Sequence, residues 1–185
     1  MSDPPTRPAG AVLRLVPIYF RAQASLLRSL AADIERVFSL SVAIAPPSFD
    51  PEKAFDPSRC QYNSRAFLAE LLGEPAEGFL RILGVTSVDL FIPVLTYVFG
   101  EGQLGGRAAV VSTHRLRAES YGLQPNEPLF TARLRKEALH ELGHTFGLLH
   151  CGDDGCVMHA STYVEEIDLK SDSFCLRCRP ALHAR

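Results

Sequence analysis

His140-Glu141-Leu142-Gly143-His144-Thr145-Phe146-Gly147-Leu148-Leu149-His150 lies near the carboxyl end of the chain, and the rest of the sequence is read outward from it. Leu134, Ala138, Leu142 and Phe146 recur at every fourth position, so the stretch begins on one face of a long helix that Gly147 ends. Residues four apart on a helix lie about 40° from each other around the axis and about 6 Å along it. His140 and His144 can therefore aim imidazole nitrogens at one point. His150 cannot reach that point from a straight helix, so the chain must turn back, and Gly147 can take the positive φ that such a turn needs. Three converging imidazoles suit a zinc ion whose fourth position is left to water. Glu141, next to the first ligand, is placed to take a proton from that water. Any one of these histidines alone would read as an ordinary hydrogen-bonded helix residue; the joint spacing favours the metal.

Four cysteines crowd the segment that follows: Cys151 and Cys156 as C-x-x-x-x-C, then Cys175 and Cys178 as C-x-x-C. Such pairs suit tetrahedral zinc, with Gly152 and Gly155 allowing tight curvature between the first two sulfurs. Two disulfides or four unpaired thiols are the alternatives. Residues 152–185 show little periodicity and few apolar side chains, so something other than a core is expected to hold them. A disulfide contributes about 2–4 kcal/mol, whereas structural zinc binds with an apparent energy of about 10–16 kcal/mol near neutral pH. The larger effect is the better account, which makes two zinc ions per chain, one catalytic and one structural. Because Cys151 adjoins His150, the second ion is expected to help position the third ligand of the first. Cys60 stands apart and reads as a buried thiol.

The chain of 185 residues carries 19 Lys plus Arg against 21 Asp plus Glu, a formal charge of -2, with 46% hydrophobic residues. That composition describes one water-soluble domain and excludes a disordered chain. It supplies no general pull on nucleic-acid phosphates, and no apolar run is long enough to span a membrane. Residues 1–10 read as a flexible leader; Asp3 and its prolines occupy the place where a secretory signal has Lys or Arg, and Arg14 breaks the apolar run after it. A cytoplasmic location follows as the expectation, and there cysteines read as metal ligands before disulfides.

Val12 to Tyr19 reads as a strand, Leu27, Leu30, Ile34 and Val37 as a helix, and Leu40 to Ala45 as a second strand. A Pro- and Asp-rich loop over residues 49–58 precedes a helix marked by Phe67, Leu68, Leu71 and Leu72 that ends at Gly73, and a third strand lies within Phe79 to Phe91. This order implies right-handed crossovers and a largely parallel sheet. Thr96 to Phe99 and Arg107 to Thr113 then read as a hairpin, with Gly100, Gly102, Gly105 and Gly106 making a flexible tip. The whole is a mixed α/β domain over residues 11–185, with a sheet part over 11–147 and a zinc-bound part over 148–185.

Taken together, the histidine motif, the four cysteines and Met158, two positions after Cys156, resemble the archaemetzincins, a family of the metzincin zinc metalloproteases. The stretch between Met158 and Cys175 is one residue shorter than in the family pattern. The resemblance implies a twisted mixed sheet of about five strands with two backing helices, an active-site helix and a zinc-stapled carboxyl-terminal segment. It implies peptide hydrolysis through a zinc-activated water with Glu141 as general base, a methionine floor from Met158, and main-chain pairing of substrate by the strand around Tyr97 to Phe99. Arg59-Cys60-Gln61-Tyr62-Asn63-Ser64 also looks like a family feature, one without an assigned role. Tyr163 and His159 could hydrogen-bond the oxyanion, although local packing is the plainer reading, and His114 with Arg115 reads as surface. Peptides or proteins are the expected substrates of a chain working as a monomer, with neither nucleic acid nor membrane as partner. Two alternatives remain: a peptide-binding module on the same frame that cleaves little, and a zinc-ribbon-like interaction protein using Arg177, Arg179 and Arg185.

Overall fold

The computed structural model describes residues 12–74 and 78–183, so the leader expected at 1–10 lies outside the described residues. Its order is β1 (Val12–Ile18), α1 (Ala24–Phe38), β2 (Ser41–Ile44), β3 (Phe55–Asp56), β4 (Gln61–Asn63), α2 (Ser64–Gly73), β5 (Phe79–Thr86), β6 (Leu90–Phe91), β7 (Gly100–Gly102), β8 (Ala108–Ser112), α3 (Glu127–Thr145) and α4 (Val164–Leu169). The main sheet has five strands in the order β2-β1-β5-β8-β7, and β3-β4-β6 form a small second sheet. All neighbours in the main sheet run parallel except β7, which lies antiparallel to β8. The mixed α/β architecture is thus the one expected.

Alternation along the strands feeds two cores. Leu13, Leu15, Leu83, Val85, Ala109 and Val111 meet Leu27, Leu30 and Ile34 of α1 and Leu134, Ala138 and Leu142 of α3 on one face. Val16, Ile18, Ile82, Ala108 and Val110 meet Phe67, Leu68 and Leu71 of α2 on the other. Central strands buried on both faces read as the near-continuous apolar runs of a parallel sheet. The helix starts are set locally: Asn63 Oδ1 accepts from the Arg65 N–H, and Asn126 Oδ1 from the Leu129 N–H.

Three expectations change. The antiparallel edge strand falls on Gly100–Gly102 instead of Thr96 to Phe99, so two glycines assigned to the tip belong to the strand. The tip itself is pinned, since Gly105 N–H donates to the His144 carbonyl at 2.8 Å. The carboxyl-terminal segment is not without apolar support, because Val157, Met158, Val164, Ile167, Phe174 and Leu182 are buried in the core beneath α3. Their spacing is irregular because they come from loops and one short helix, and periodicity reports only regular elements.

Candidate active site and metal centres

Helix α3 carries His140, Glu141 and His144 into a cleft of about 580 Å³ between β7 with its preceding segment and residues 160–163. It ends at Thr145, and Gly147 takes φ +86°, the left-handed turn that returns the chain to the site. The ligand nitrogens of His140, His144 and His150 lie within 4.8 Å of one another. His140 Nδ1–H donates to the Val157 carbonyl at 2.9 Å, and His144 Nδ1–H to the Leu148 carbonyl at 2.8 Å. Those bonds fix the tautomers and leave both Nε2 atoms as bare acceptors. The two Nε2 atoms face each other at 3.2 Å. Two lone pairs so placed repel unless a cation lies between them, and zinc bound tetrahedrally at about 2.0–2.1 Å from nitrogen would set them about 3.3 Å apart. Burial holds His140 well below its usual pKa and lowers His144 and His150, with the Lys170 charge adding to each shift. Neutral imidazole is the form that binds a metal.

Glu141 is buried beside this cluster, and burial raises its pKa well above the usual carboxylate range. Glu137 adds to the rise; Lys170 and a hydrogen bond from the Gly102 backbone oppose it. Phe99 C=O accepts from Ser112 and Gln103 N–H donates to Ala108, so Gly100 and Gly102 between them turn their backbone polar groups away from β8. Both line the cleft. A methyl group on Gly102 would collide with the Glu141 carbonyl oxygen, so only glycine lets β7 press against α3 here. Gly102→Ala is expected to cost about 1–3 kcal/mol as the strand is forced off the helix, seen as a lowered denaturant midpoint; an unchanged midpoint would show that the contact is not tight.

The sulfurs of Cys151, Cys156, Cys175 and Cys178 form a second group within 4.8 Å of one another. Cys151 Sγ and Cys175 Sγ are 3.8 Å apart, and all five cysteines are free. Four thiolates around zinc at about 2.3 Å would stand about 3.8 Å apart. Backbone donors, Cys178 first, lower Cys175 to about 6, while burial raises Cys156 and Cys178. Four thiols so crowded cannot all ionise without a cation among them. Cys151 N–H donates to the Met158 carbonyl, and the neighbouring Val157 carbonyl holds His140, so the cysteine loop and the histidine site share backbone. Met158 is fully buried under α3, where Gly143 leaves room for its sulfur.

Other sequence expectations meet a different environment. Cys60 is exposed, at φ +52°, because the turn into β4 lifts it out of the small sheet. Tyr163 is 63% exposed on the cleft wall, and His159 Nδ1–H donates to the Cys151 carbonyl at 3.2 Å. Arg115 is no bare surface group, since it clasps Asp89 with two bonds of 2.7 Å. Arg177 points its guanidinium at Cys151 Sγ, Arg179 is exposed, and Arg185 lies outside the described residues.

Sequence reading missed one buried pair altogether. Lys170 Nζ stands 2.8 Å from Glu137 Oε1, with side chains only 1% and 4% exposed, and donates to the His159 carbonyl. Glu137 lies a helical turn before Glu141 on the same face, a signal that was available; Lys170 gave none, because the fold brings it there. Removing one partner of a buried pair strands the other charge. Lys170→Met is expected to lose about 3–5 kcal/mol of stability, and adding Glu137→Gln to recover much of it, as measured by chemical denaturation. A single variant as stable as the parent would refute the coupling.

A parallel sheet with one antiparallel edge strand, over a helix bearing H-E-x-x-H and a third histidine after a glycine turn, is the build of a zinc metallopeptidase. The chain belongs to peptidase family M54, the archaemetzincins, whose family model matches residues 32–184. It is 48% identical over 132 residues to an archaemetzincin of Methanopyrus kandleri, covering 71% of each chain, and 39% identical over 163 residues to one from Haloquadratum walsbyi, covering 86% of this chain and 93% of that relative. The crystal structure of the Methanopyrus kandleri archaemetzincin superposes with a TM-score of 0.83 at 39% identity over 95% of this chain and 96% of that one. A zinc-dependent peptidase from Methanocorpusculum labreanum superposes at 0.80 with 30% identity, covering 92% and 99%. The chain is accordingly a hydrolase acting on peptides, and no helix among the described residues is long and apolar enough to cross a membrane.

Proposed function

We propose that His140, His144 and His150 hold the catalytic zinc, that Cys151, Cys156, Cys175 and Cys178 hold a structural zinc, and that Glu141 is the general base of peptide hydrolysis. The observation that carries the reading is the pair of unprotonated Nε2 atoms facing each other beside a buried carboxylate. Zinc with an open position supplies Lewis-acid polarisation and a bound water of pKa about 7. Glu141 takes the proton as water adds to the peptide carbonyl carbon, then delivers it to the leaving nitrogen as the C–N bond breaks. Its burial favours the protonated carboxyl midway through that transfer, while the Gly102 contact orients it. An extended peptide beside β7 would gain main-chain hydrogen bonds from the outward-facing backbone of Gly100 and from the Gly102 carbonyl, the Gly102 N–H being held by Glu141.

The test is a zinc count joined to digestion of a peptide library by the zinc-loaded and the chelated protein. Two zinc ions per chain and cleavage lost on chelation and restored by zinc are expected. A loaded protein that cleaves no peptide would end the catalytic reading, and a count of one would end the two-site reading.

A further inference from the structure

The segment Leu95 to Tyr97 lines the cleft opposite residues 160–163, yet it lies outside the strands of both sheets. Two of its carbonyls, those of Leu95 and Thr96, are held by side chains instead. One Arg59 Nη2 donates to the Leu95 and Thr96 carbonyls at 3.0 Å each, and Gln61 Nε2 donates to the same Thr96 carbonyl at 3.0 Å. Arg59 Nε also donates to Gln61 Oε1 at 3.1 Å, and the guanidinium sits 4.3 Å over the Phe91 ring. Gln61 in turn donates to Asp89 at 2.8 Å, and Asp89 is the carboxylate that Arg115 clasps. Arg115 stacks 4.1 Å over the ring of Tyr97, whose hydroxyl donates to the Thr162 carbonyl on the opposite lip at 3.2 Å. A connected run of hydrogen bonds, with one cation–π contact between Arg115 and Tyr97, thus reaches from β4 to both lips of the cleft; its Arg59, Gln61–Asp89 and Arg115–Asp89 bonds are charge-assisted, the stronger and more directional kind.

We propose, resting on the peptidase reading above, that Arg59 and Gln61 are positioning residues for the substrate: they hold the Leu95 to Tyr97 wall at the height an extended peptide requires. This gives the Arg59-Cys60-Gln61-Tyr62-Asn63-Ser64 segment a role, extended by Ser64 Oγ, which lies within donating reach of the Phe91 carbonyl and of the Glu101 carboxylate in β7. Arg59 and Gln61 touch neither the histidine cluster nor Glu141. Their loss should therefore weaken whatever lies along the wall and spare whatever reaches only the metal.

The experiment measures binding of two probes to the zinc-loaded protein by calorimetry, with zinc content and thermal midpoint recorded alongside. Acetohydroxamate reaches the metal alone; a Leu-Phe dipeptide hydroxamate also lies along the wall. Arg59→Ala is expected to weaken the dipeptide probe about tenfold or more while leaving acetohydroxamate within about twofold and the zinc content unchanged. Arg59→Lys, which keeps a cation over Phe91 but cannot donate to Leu95, Thr96 and Gln61 together, is expected to fall between; it carries the test alone if the alanine variant does not fold. Equal weakening of both probes would mark a general structural role and overturn the proposal, as would no weakening of either. Hydrolysis is not read, so failure here is separate from failure of the peptidase reading.

Discussion

Glu141→Gln is expected to keep its zinc and lose peptide hydrolysis by about 10²–10⁴-fold, the size of a general-base contribution. Glutamine has nearly the shape of glutamate, so the contact with Gly102 and the packing under β7 survive, but its amide cannot accept the water proton. A peptide cleavage assay and zinc analysis check the two statements together. Hydrolysis at the parental rate would remove Glu141 from the mechanism; loss of zinc would mean the substitution disturbed the histidines rather than the base.

Cys175→Ser is expected to lower the zinc count from two to one and to loosen the carboxyl-terminal segment. A hydroxyl is a poor ligand for an ion that prefers thiolates, and structural zinc of this kind binds with about 10–16 kcal/mol, so losing one of four ligands removes a large share of what holds the loop around the cysteines. The effect should not stop at the cysteines. Val157 N–H is held by the Ser173 carbonyl, and the Val157 carbonyl holds His140, so a loosened loop frees the first histidine to rotate. Limited proteolysis within residues 148–183 should become fast, and hydrolysis should fall as His140 loses its orientation. Two zinc ions retained in the variant, or a loop as protease-resistant as the parent, would rule out the assignment.

The histidine and cysteine clusters were legible in advance because each is built from short motifs, imidazoles four and six residues apart and cysteine pairs five and three residues apart. Four-residue spacing on a helix fixes two imidazoles before any tertiary contact forms, and a glycine turn needs only local backbone freedom. The order of strands and helices was legible for the same reason, from apolar periodicity in β1, α1, α2 and α3. Errors gathered where structure depends on what packs against a segment. Gly100 and Gly102 have no strand propensity, and they form the edge strand because only bare backbone fits between β8 and α3. Cys60 is small and apolar enough to suggest burial, and a turn exposes it.

From the sequence alone came the histidine and cysteine clusters and the peptidase class, because short motifs fix the spacing of those side chains along the chain. Tertiary structure alone decided what surrounds them: the Lys170 and Glu137 pair, the anchoring of His140 by Val157, and the wall that Arg59 and Gln61 hold over the cleft. Those partners are 17 to 37 residues apart in the chain. No periodicity links positions so distant, and only the closing of the sheet and the packing of α3 beneath it bring them within hydrogen-bonding reach.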